Sequence, residues 1–290
     1  MDTAINTVQL IRAEAVREGA GVIVHRTIGG PALRNFDPFL LLDHISSSDP
    51  NEYLAGFPSH PHRGFSTFTY MIDGLMKHQD SMGNSGTLSA GSAQWMKAAS
   101  GIMHSEMPEQ EDGLMRGFQL WINLPQAEKM TRPEYQEFSA NAFPIVETAD
   151  YRLKVLIGRY AKAQAPIEDS TTEVVFFDVQ VNPEKQFHHV FPVGNSSFIY
   201  VFEGVGCTNS ENTPTHSLAV LDAEDNVLNF VAGPKGARLI VASGKPIEEP
   251  IVRYGPFVMN TREQIDQAVL DFQNNNFVRN RAWIKRKQEF

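Results

Sequence analysis

An internal repeat limits the folds open to this chain of 290 residues. The segment FSTFTYMIDG, which ends at Gly74, aligns with NSSFIYVFEG, which ends at Gly204. Serine, phenylalanine and tyrosine recur at matching positions, and both segments end in an acidic residue followed by glycine. An offset of 130 positions in a chain of this length is what a duplicated β-domain would give. The repeat therefore predicts two similar β-domains in tandem.

Short apolar segments separated by turn residues fill most of the chain. In Arg116–Pro125, the apolar residues Phe118, Leu120 and Ile122 alternate with other side chains. This period of two is typical of a strand with one buried face. Turn-rich stretches such as Asp80–Gly86 separate the segments, and strands at this density indicate antiparallel sandwiches or barrels. We therefore expect an all-β fold.

The segment Gln126–Pro144 is more polar than its surroundings and poor in strand pattern. A connection between two packed domains has this character, because linkers run over the surface. We place the N-terminal domain in residues 1–130, the linker in 131–145 and the C-terminal domain in 146–290.

Helical pattern is clearest in the C-terminal segment Thr261–Phe277. Thr261 is a candidate N-cap, and Gln264, three residues later, would complete a capping box. Three apolar residues then follow at helical spacing on one face, namely Ile265, Val269 and Phe272. We expect a C-terminal helix that buries this face.

Charge and cysteine content narrow the classes of function. The formal net charge is −9, and Cys207 is the only cysteine, so no disulfide forms within the chain. The mildly basic tail 279–290 is too short for the basic surface that phosphate contacts need. The charged N-terminus lacks the apolar core of a signal peptide, and no stretch approaches the roughly 20 apolar residues of a membrane helix. We expect a cytoplasmic protein that binds neither membranes nor nucleic acid directly.

Two pairs of residues of types that commonly bind metals are the candidate metal ligands, and the members of each pair lie two positions apart. His60 and His62 form the first pair, and His104 and Glu106 form the second. Residues i and i+2 of a strand face the same side, and the 42 residues from His62 to His104 allow about four strands to return the chain beside its start. The pairs would then present three imidazoles and one carboxylate to one point. This set suits a six-coordinate metal with two open positions, and the residues alone leave iron, nickel, copper, zinc and manganese open.

A structural role is the competing interpretation of these residues. His60 and His62 would then lie in a loop, while His104 and Glu106 would form a surface salt bridge. The recurrence of the spacing inside a β-rich half favours the metal site.

Other residues receive structural interpretations. His78 and Asp80 are candidates for a hydrogen bond to a metal ligand, although stabilisation of a turn is the favoured role. Trp121 is expected in the apolar core rather than against a substrate. His188 and His189 are adjacent, so on a strand they would face opposite sides and hold no metal together.

Six segments that together span most of the chain are DPFLLLDH, HPHRGF, HQDSMGNSG, QWMKAASGIMHSE, RGFQLWINLP and YGPFVMNT. Together they resemble the pirin family of the cupin superfamily. The resemblance implies two tandem cupin domains, with one Fe(II) ion per chain in the N-terminal cupin. At the offset of 130, His60 and His62 correspond to Val190 and Pro192, so we expect a degenerate, metal-free C-terminal cupin. The iron ligands implied by the family pattern are His60, His62, His104 and Glu106.

The resemblance also implies two classes of function. Some pirins are similar in activity to quercetin 2,3-dioxygenases, which cleave a flavonol with O2. Glu106 would then also be catalytic, as the general base that accepts the flavonol hydroxyl proton. Eukaryotic pirins are transcription cofactors whose iron oxidation state tunes partner binding, and some bacterial pirins resemble modulators of metabolic enzymes. The expected partner is therefore a small molecule with O2 or, alternatively, another protein.

Overall fold

A computed structural model describes residues 9–279 of the chain. The expected basic tail thus lies outside the described residues except for Arg279, as does the beginning of the charged N-terminus. The described part is built from strands, two short 3-10 helices, Pro50–Glu52 and Ala140–Ala142, and one α-helix, α1, Arg262–Gln273. No helix among residues 9–279 combines the length and the apolar character needed to cross a membrane.

The strands of the first half of the chain follow one another at short intervals. They are β1 Gln9–Arg12, β2 Glu14–Glu18, β3 Val22–Ile28, β4 Phe39–Ser47, β5 Phe57–His62, β6 Phe65–Asp73, β7 Met76–Asp80, β8 Ser85–Leu88, β9 Ala93–Lys97, β10 Ile102–Pro108, β11 Met115–Asn123 and β12 Glu134–Phe138.

The second half contains the longest strands. Its strands are β13 Ile145–Glu147, β14 Tyr151–Ile157, β15 Arg159–Tyr160, β16 Ala163–Gln164, β17 Val175–Val181, β18 Gln186–Val190, β19 Ser196–Thr208, β20 Glu211–Thr213, β21 Ser217–Val220, β22 Val227–Gly244, β23 Val252–Tyr254 and β24 Phe257–Met259.

Two antiparallel sheets form the N-terminal domain. The larger sheet has the order β12-β9-β6-β11-β4-β3-β2, and the smaller has the order β5-β10-β7-β8. Apolar side chains from both sheets pack together between them, including Val24, Met71, Met76 and Leu88. This packing leaves the smaller sheet as one wall of a sandwich whose interior can hold a site.

The C-terminal domain is a nine-stranded antiparallel sheet in which the long strands β19 and β22 pair with each other. Strand β22 also pairs with β17 and β18, so the sheet curls around an apolar interior. The expectation of an all-β fold with two tandem domains and a C-terminal helix is confirmed.

The two halves pack through the strands that carry the repeat, β6 and β19. Phe68 and Tyr70 of β6 lie in one continuous buried core with Phe198 and Tyr200 of β19. At the edge of this core, the Tyr70 hydroxyl donates a hydrogen bond of 2.7 Å to Asp178. The repeated aromatic residues therefore form the seam between the domains.

Each half also contributes an end of the chain to the other. Strand β1 pairs with β21 in the C-terminal sheet. At the opposite end, Asp271 of α1 pairs with Arg63 beside strand β5, at 2.7 Å. Within the segment expected as a linker, β12 pairs with β9 and extends the N-terminal sheet. The chain is thus more interwoven than its division into residue ranges implies.

The helix α1 begins with the expected cap. Thr261 accepts a hydrogen bond from the backbone of Gln264, and the Gln264 side chain bonds back to the cap. The predicted apolar face is wrong in one position, because Phe272 is 42% exposed whereas Asp271 is buried. The pairing of Asp271 with Arg63 turns a polar residue inward.

Candidate metal centre

The two expected ligand pairs lie on adjacent strands of the smaller sheet. His60 and His62 belong to β5, and His104 and Glu106 belong to β10, which pairs antiparallel with β5. His104 lies directly opposite His60. Directly opposed residues on an antiparallel pair lie close together on the same face. The sheet register therefore brings both pairs to one side.

The three histidines converge. One nitrogen from each of His60, His62 and His104 lies within 4.8 Å of the others. The two Nε2 atoms of His60 and His62 are 3.1 Å apart, and the His60 and His104 ring centroids are 4.3 Å apart. His62 and His104 are buried, which places the cluster at the wall of the sandwich interior.

Glu106 belongs to a second, overlapping cluster. Its carboxylate and His104 lie within 4.8 Å of His78, a buried residue of β7. His78 is the direct cross-strand partner of Glu106. His104 is thus shared between the two clusters, with His60 and His62 on one side and Glu106 and His78 on the other.

The protonation of the histidines fits a bound cation. His60 Nδ1 lies 2.8 Å from the Pro58 carbonyl oxygen, which only accepts, so Nδ1 donates and Nε2 is the nitrogen that faces His62. Burial, reinforced by the neighbouring histidines, lowers the pKa of both His62 and His104 well below the usual value, which favours the neutral imidazole that binds metals.

The hydrogen bonding of His104 is a further test of whether a metal ion fits this cluster. Only 2% of the residue is exposed, and neither ring nitrogen has a hydrogen-bond partner among the described residues. An unpaired buried polar group costs about 1–3 kcal/mol. A metal ion beside His60 and His62 would supply the missing partner, so the residues present fit such an ion.

A short polar chain orients Glu106. The hydroxyl of Thr69, on β6 of the larger sheet, donates to Glu106 Oε1 at 3.0 Å. The same hydroxyl oxygen lies 2.6 Å from the side-chain amide of Gln119. A hydroxyl has one proton, so Gln119 must present its NH2 group to Thr69 when Thr69 donates to the carboxylate. These two hydrogen bonds hold the Glu106 carboxylate in place without a cationic partner.

Asp80 and His78 have separate roles. Asp80 accepts hydrogen bonds from the backbone of Met82 and from Asn84, as a turn-stabilising residue does. His78 Nε2 is 3.7 Å from Asp80 Oδ2, too far for a hydrogen bond, and its ring stacks on Tyr135. The sequence interpretation thus fits Asp80 but missed that His78 joins Glu106, although its spacing of two from Asp80 carried the same signal as the other pairs.

A cavity of about 550 Å³ opens onto the centre, and its lining includes His60, His62 and Glu106. Its other walls include apolar side chains and Trp121. The expectation that Trp121 belongs to the apolar core is corrected, because its ring lines the cavity and lies 4.9 Å from the His62 ring. The strand β11 buries Phe118 against the other domain, so the alternate face that carries Trp121 must look into the sandwich.

The adjacent histidines of the C-terminal domain lie on opposite faces of β18, as their spacing predicts. His188 is exposed and contacts Asn229 at 2.7 Å. His189 points inward and packs against Phe177, Phe187 and Phe191. The aromatic surroundings give His189 a packing role.

Family models match both β-domains. The model described as pirin matches residues 21–122, and the model described as the pirin C-terminal cupin domain matches residues 176–278. The two matches cover more than half of the chain and fall on either side of the seam.

Individual proteins resemble the chain along nearly its whole length. A Pseudomonas aeruginosa protein whose name assigns it provisionally to the quercetin 2,3-dioxygenases is 43% identical over 277 residues, which cover 93% of this chain and 96% of the relative. A crystal structure of a quercetin 2,3-dioxygenase from Acinetobacter baumannii superimposes with a TM-score of 0.86 at 30% identity and covers 94% of this chain and 99% of its own.

A more distant structure shares the fold. It is a bacterial pirin from Escherichia coli in complex with nickel(II), 20% identical, with a TM-score of 0.66 and coverage of 83% of this chain and 99% of its own. The metal in that crystal belongs to that protein.

Proposed function

This chain belongs to the pirin family, and from that premise we propose that it is an Fe(II)-dependent dioxygenase of the quercetin 2,3-dioxygenase type. Relatives along its full length carry the name of that activity. The observation that supports the proposal most strongly is the convergence of three imidazoles and a nearby carboxylate at the wall of a 550 Å³ cavity. The cavity is large enough for a drug-sized organic molecule.

His60, His62 and His104 would hold the ion, and Glu106 would complete the set from the adjoining cluster. The bound ion would supply open coordination positions for O2 and for a chelating flavonol. Glu106 faces the same cavity, where its carboxylate would accept the proton of the flavonol hydroxyl. Trp121 and the apolar walls would exclude water and position the aromatic rings.

One sample tests the proposal. The protein is purified anaerobically, its metal content is measured, and consumption of O2 and of quercetin is then followed after loading with Fe(II). We expect one iron per chain and turnover that requires iron. His62→Ala should lose the iron, whereas His188→Ala, on the exposed face of β18, should retain it.

Full iron occupancy without quercetin turnover would contradict the dioxygenase. Partner capture that depends on the iron oxidation state would in that case favour the regulatory function implied by the family. Iron retained by His62→Ala would instead contradict the site.

A further inference from the structure

Arg253 brings a positive charge to the cavity from the C-terminal half of the chain. It belongs to β23 and lines the cavity together with Gly255 and Pro256, the turn between β23 and β24. This ribbon is fixed to the residue after His62, because the backbone of Arg63 bonds to Pro256 and to Val258. The backbone of this turn, from which Arg253 extends, is therefore held in place relative to the candidate ligands.

No carboxylate within residues 9–279 forms a salt bridge with Arg253. Its contacts are the neutral carbonyl oxygens of Leu40, at 3.3 Å, and Gly255, at 3.5 Å. Both distances are long for a hydrogen bond. An arginine offers five N–H donors, so donor capacity remains for a ligand.

Trp121 connects this guanidinium to the metal centre. Arg253 Cζ lies 4.8 Å from the centroid of the Trp121 ring, a cation–π contact. The same ring lies 4.9 Å from the His62 ring. One indole thus contacts both the Arg253 guanidinium and the ring of the candidate ligand His62. The two ends of a matching ligand would therefore lie about one aromatic ring apart.

The charge balance of the cavity leaves room for an anion. Three carboxylates and two guanidinium groups line it, and Arg26 is engaged by Asp43, at 2.7 and 2.6 Å, and by Glu18, at 2.6 Å. Among the charged side chains of the lining, Arg253 is thus the cation that no carboxylate within residues 9–279 pairs.

We propose that Arg253 forms an anion-binding subsite of the cavity. It selects organic ligands that carry a metal-chelating oxygen pair at one end and a carboxylate, or another oxyanion, about one aromatic ring away. This inference rests on the proposed metal site and goes beyond it, since an uncharged flavonol would leave the guanidinium without a partner.

A matched pair of ligands tests the subsite. Catechol oxygens provide the chelating end of both 3,4-dihydroxybenzoate and 3,4-dihydroxybenzamide, and only the acid carries the charge. Zn(II)-loaded protein is titrated with each by calorimetry, because zinc has no redox chemistry and permits no turnover. We expect the parent to bind the acid about tenfold more tightly than the amide, as a charge-assisted hydrogen bond would give.

Variants assign this preference to one side chain. Arg253→Met should reduce the ratio of affinities to about one, and Arg253→Lys should retain part of it. Arg262→Met, on the exposed face of α1, should leave the ratio unchanged.

Three results would overturn the subsite. They are equal affinity of the parent for acid and amide, the same preference for the acid in Arg253→Met as in the parent, and no binding of either ligand at full zinc content. Zinc content, measured on the same samples, separates the two proposals. Parent protein that binds no zinc contradicts the metal site, whereas equal affinity for acid and amide at full zinc content contradicts only the role of Arg253.

Discussion

A neutral hydroxyl, rather than a cation, holds the carboxylate at the candidate centre. Thr69 donates to Glu106, and Gln119 supports Thr69 from the neighbouring strand β11. No cationic side chain among the described residues therefore pairs with this carboxylate in place of a metal ion or a proton. An arginine at the position of Thr69 would compete for both.

Replacement of Glu106 by glutamine separates binding from proton transfer. The amide keeps the size and an oxygen donor but loses the negative charge, so iron should bind more weakly and be restored by excess Fe(II). Quercetin turnover at restored occupancy should fall by about a hundredfold or more, within the usual contribution of a general base. Iron content and O2 uptake measure the two effects. Glu109→Gln, which removes an exposed acid paired with Lys77, is the control, and parental turnover by Glu106→Gln would contradict the assigned base.

His189 gives the stability of the C-terminal domain a pH dependence. Burial, followed in size by the effect of His188, lowers the pKa of His189 to about 4 from its ordinary value near 6.5. The folded state therefore favours the neutral ring. The stability from this residue is present above about pH 6.5 and is lost as the pH falls towards 4. The urea midpoint of His189→Phe, followed by circular dichroism, should decline less steeply than that of the parent between pH 7 and pH 4, and parallel profiles would contradict this.

Residue spacing predicts part of the candidate metal centre, because the alternation of side chains along a strand is a local rule. Alternation along a strand places His60 with His62, and His104 with Glu106, whatever the rest of the fold. The sequence alone did not predict that Glu106 groups with His78, since this depends on the register between β7 and β10. Nor did it predict that Arg253 reaches the cavity, because no local pattern links β23 to β5.

At the scale of elements, α1 is fastened to β5, the strand of His60 and His62, through Arg63. This guanidinium is 1% exposed and donates to the Ser100 carbonyl, to Asp271 and to the Phe277 carbonyl. It also lies over the Phe277 ring, at 4.4 Å. Arg63 directly follows His62, so the position of the helix bears on the geometry of the centre.

Asp271→Ala should release this attachment. The change leaves a buried guanidinium without its carboxylate, which typically costs about 3–5 kcal/mol in the free energy of unfolding. Urea unfolding measures the loss, and metal affinity should weaken with it because β5 loses its support. Asp266→Ala is the matched control on the same helix, since its pairing with Arg262 is exposed and such pairs contribute about 0–1 kcal/mol. Equal losses in the free energy of unfolding for the two variants would show that the pairing of Asp271 with Arg63 does not stabilise the protein.

The helix also shows where pattern fails. Its cap, Thr261 with Gln264, is a local signal and was predicted correctly. One position of its buried face was wrong, because hydropathy favours Phe272 over Asp271 whereas the partner that buries Asp271 is 208 positions away in sequence. Trp121 was expected in the apolar core, and no local pattern predicted that its ring lines a cavity.

At the scale of the molecule, the seam joins two domains into one folding unit. The largest buried core contains residues of both halves, and Asp178 accepts from Tyr70 and, at 2.9 and 2.6 Å, from Arg238. We expect a single calorimetric unfolding transition, with equal calorimetric and van't Hoff enthalpies. Two resolved transitions would show that the halves unfold independently.

Removal of the metal should leave this unit folded. The largest buried core lies at the seam and contains no residue of β5 or β10, the strands that carry the candidate ligands. This differs from a small zinc finger, whose fold the metal creates. Chelation should therefore lower the Tm by the binding contribution alone and keep the far-ultraviolet spectrum of a β-protein. Collapse of that spectrum to random coil would contradict the expectation.

The exchange of chain ends also bears on how such a duplicated protein can evolve. Because β1 completes the C-terminal sheet and α1 braces the strand of His60 and His62, neither half is a self-sufficient module. Recombination that transplanted one half into another gene would leave an unpaired edge in the C-terminal sheet or remove the helix that supports β5. The two halves therefore have to be inherited together, each retained for the element that it supplies to the other.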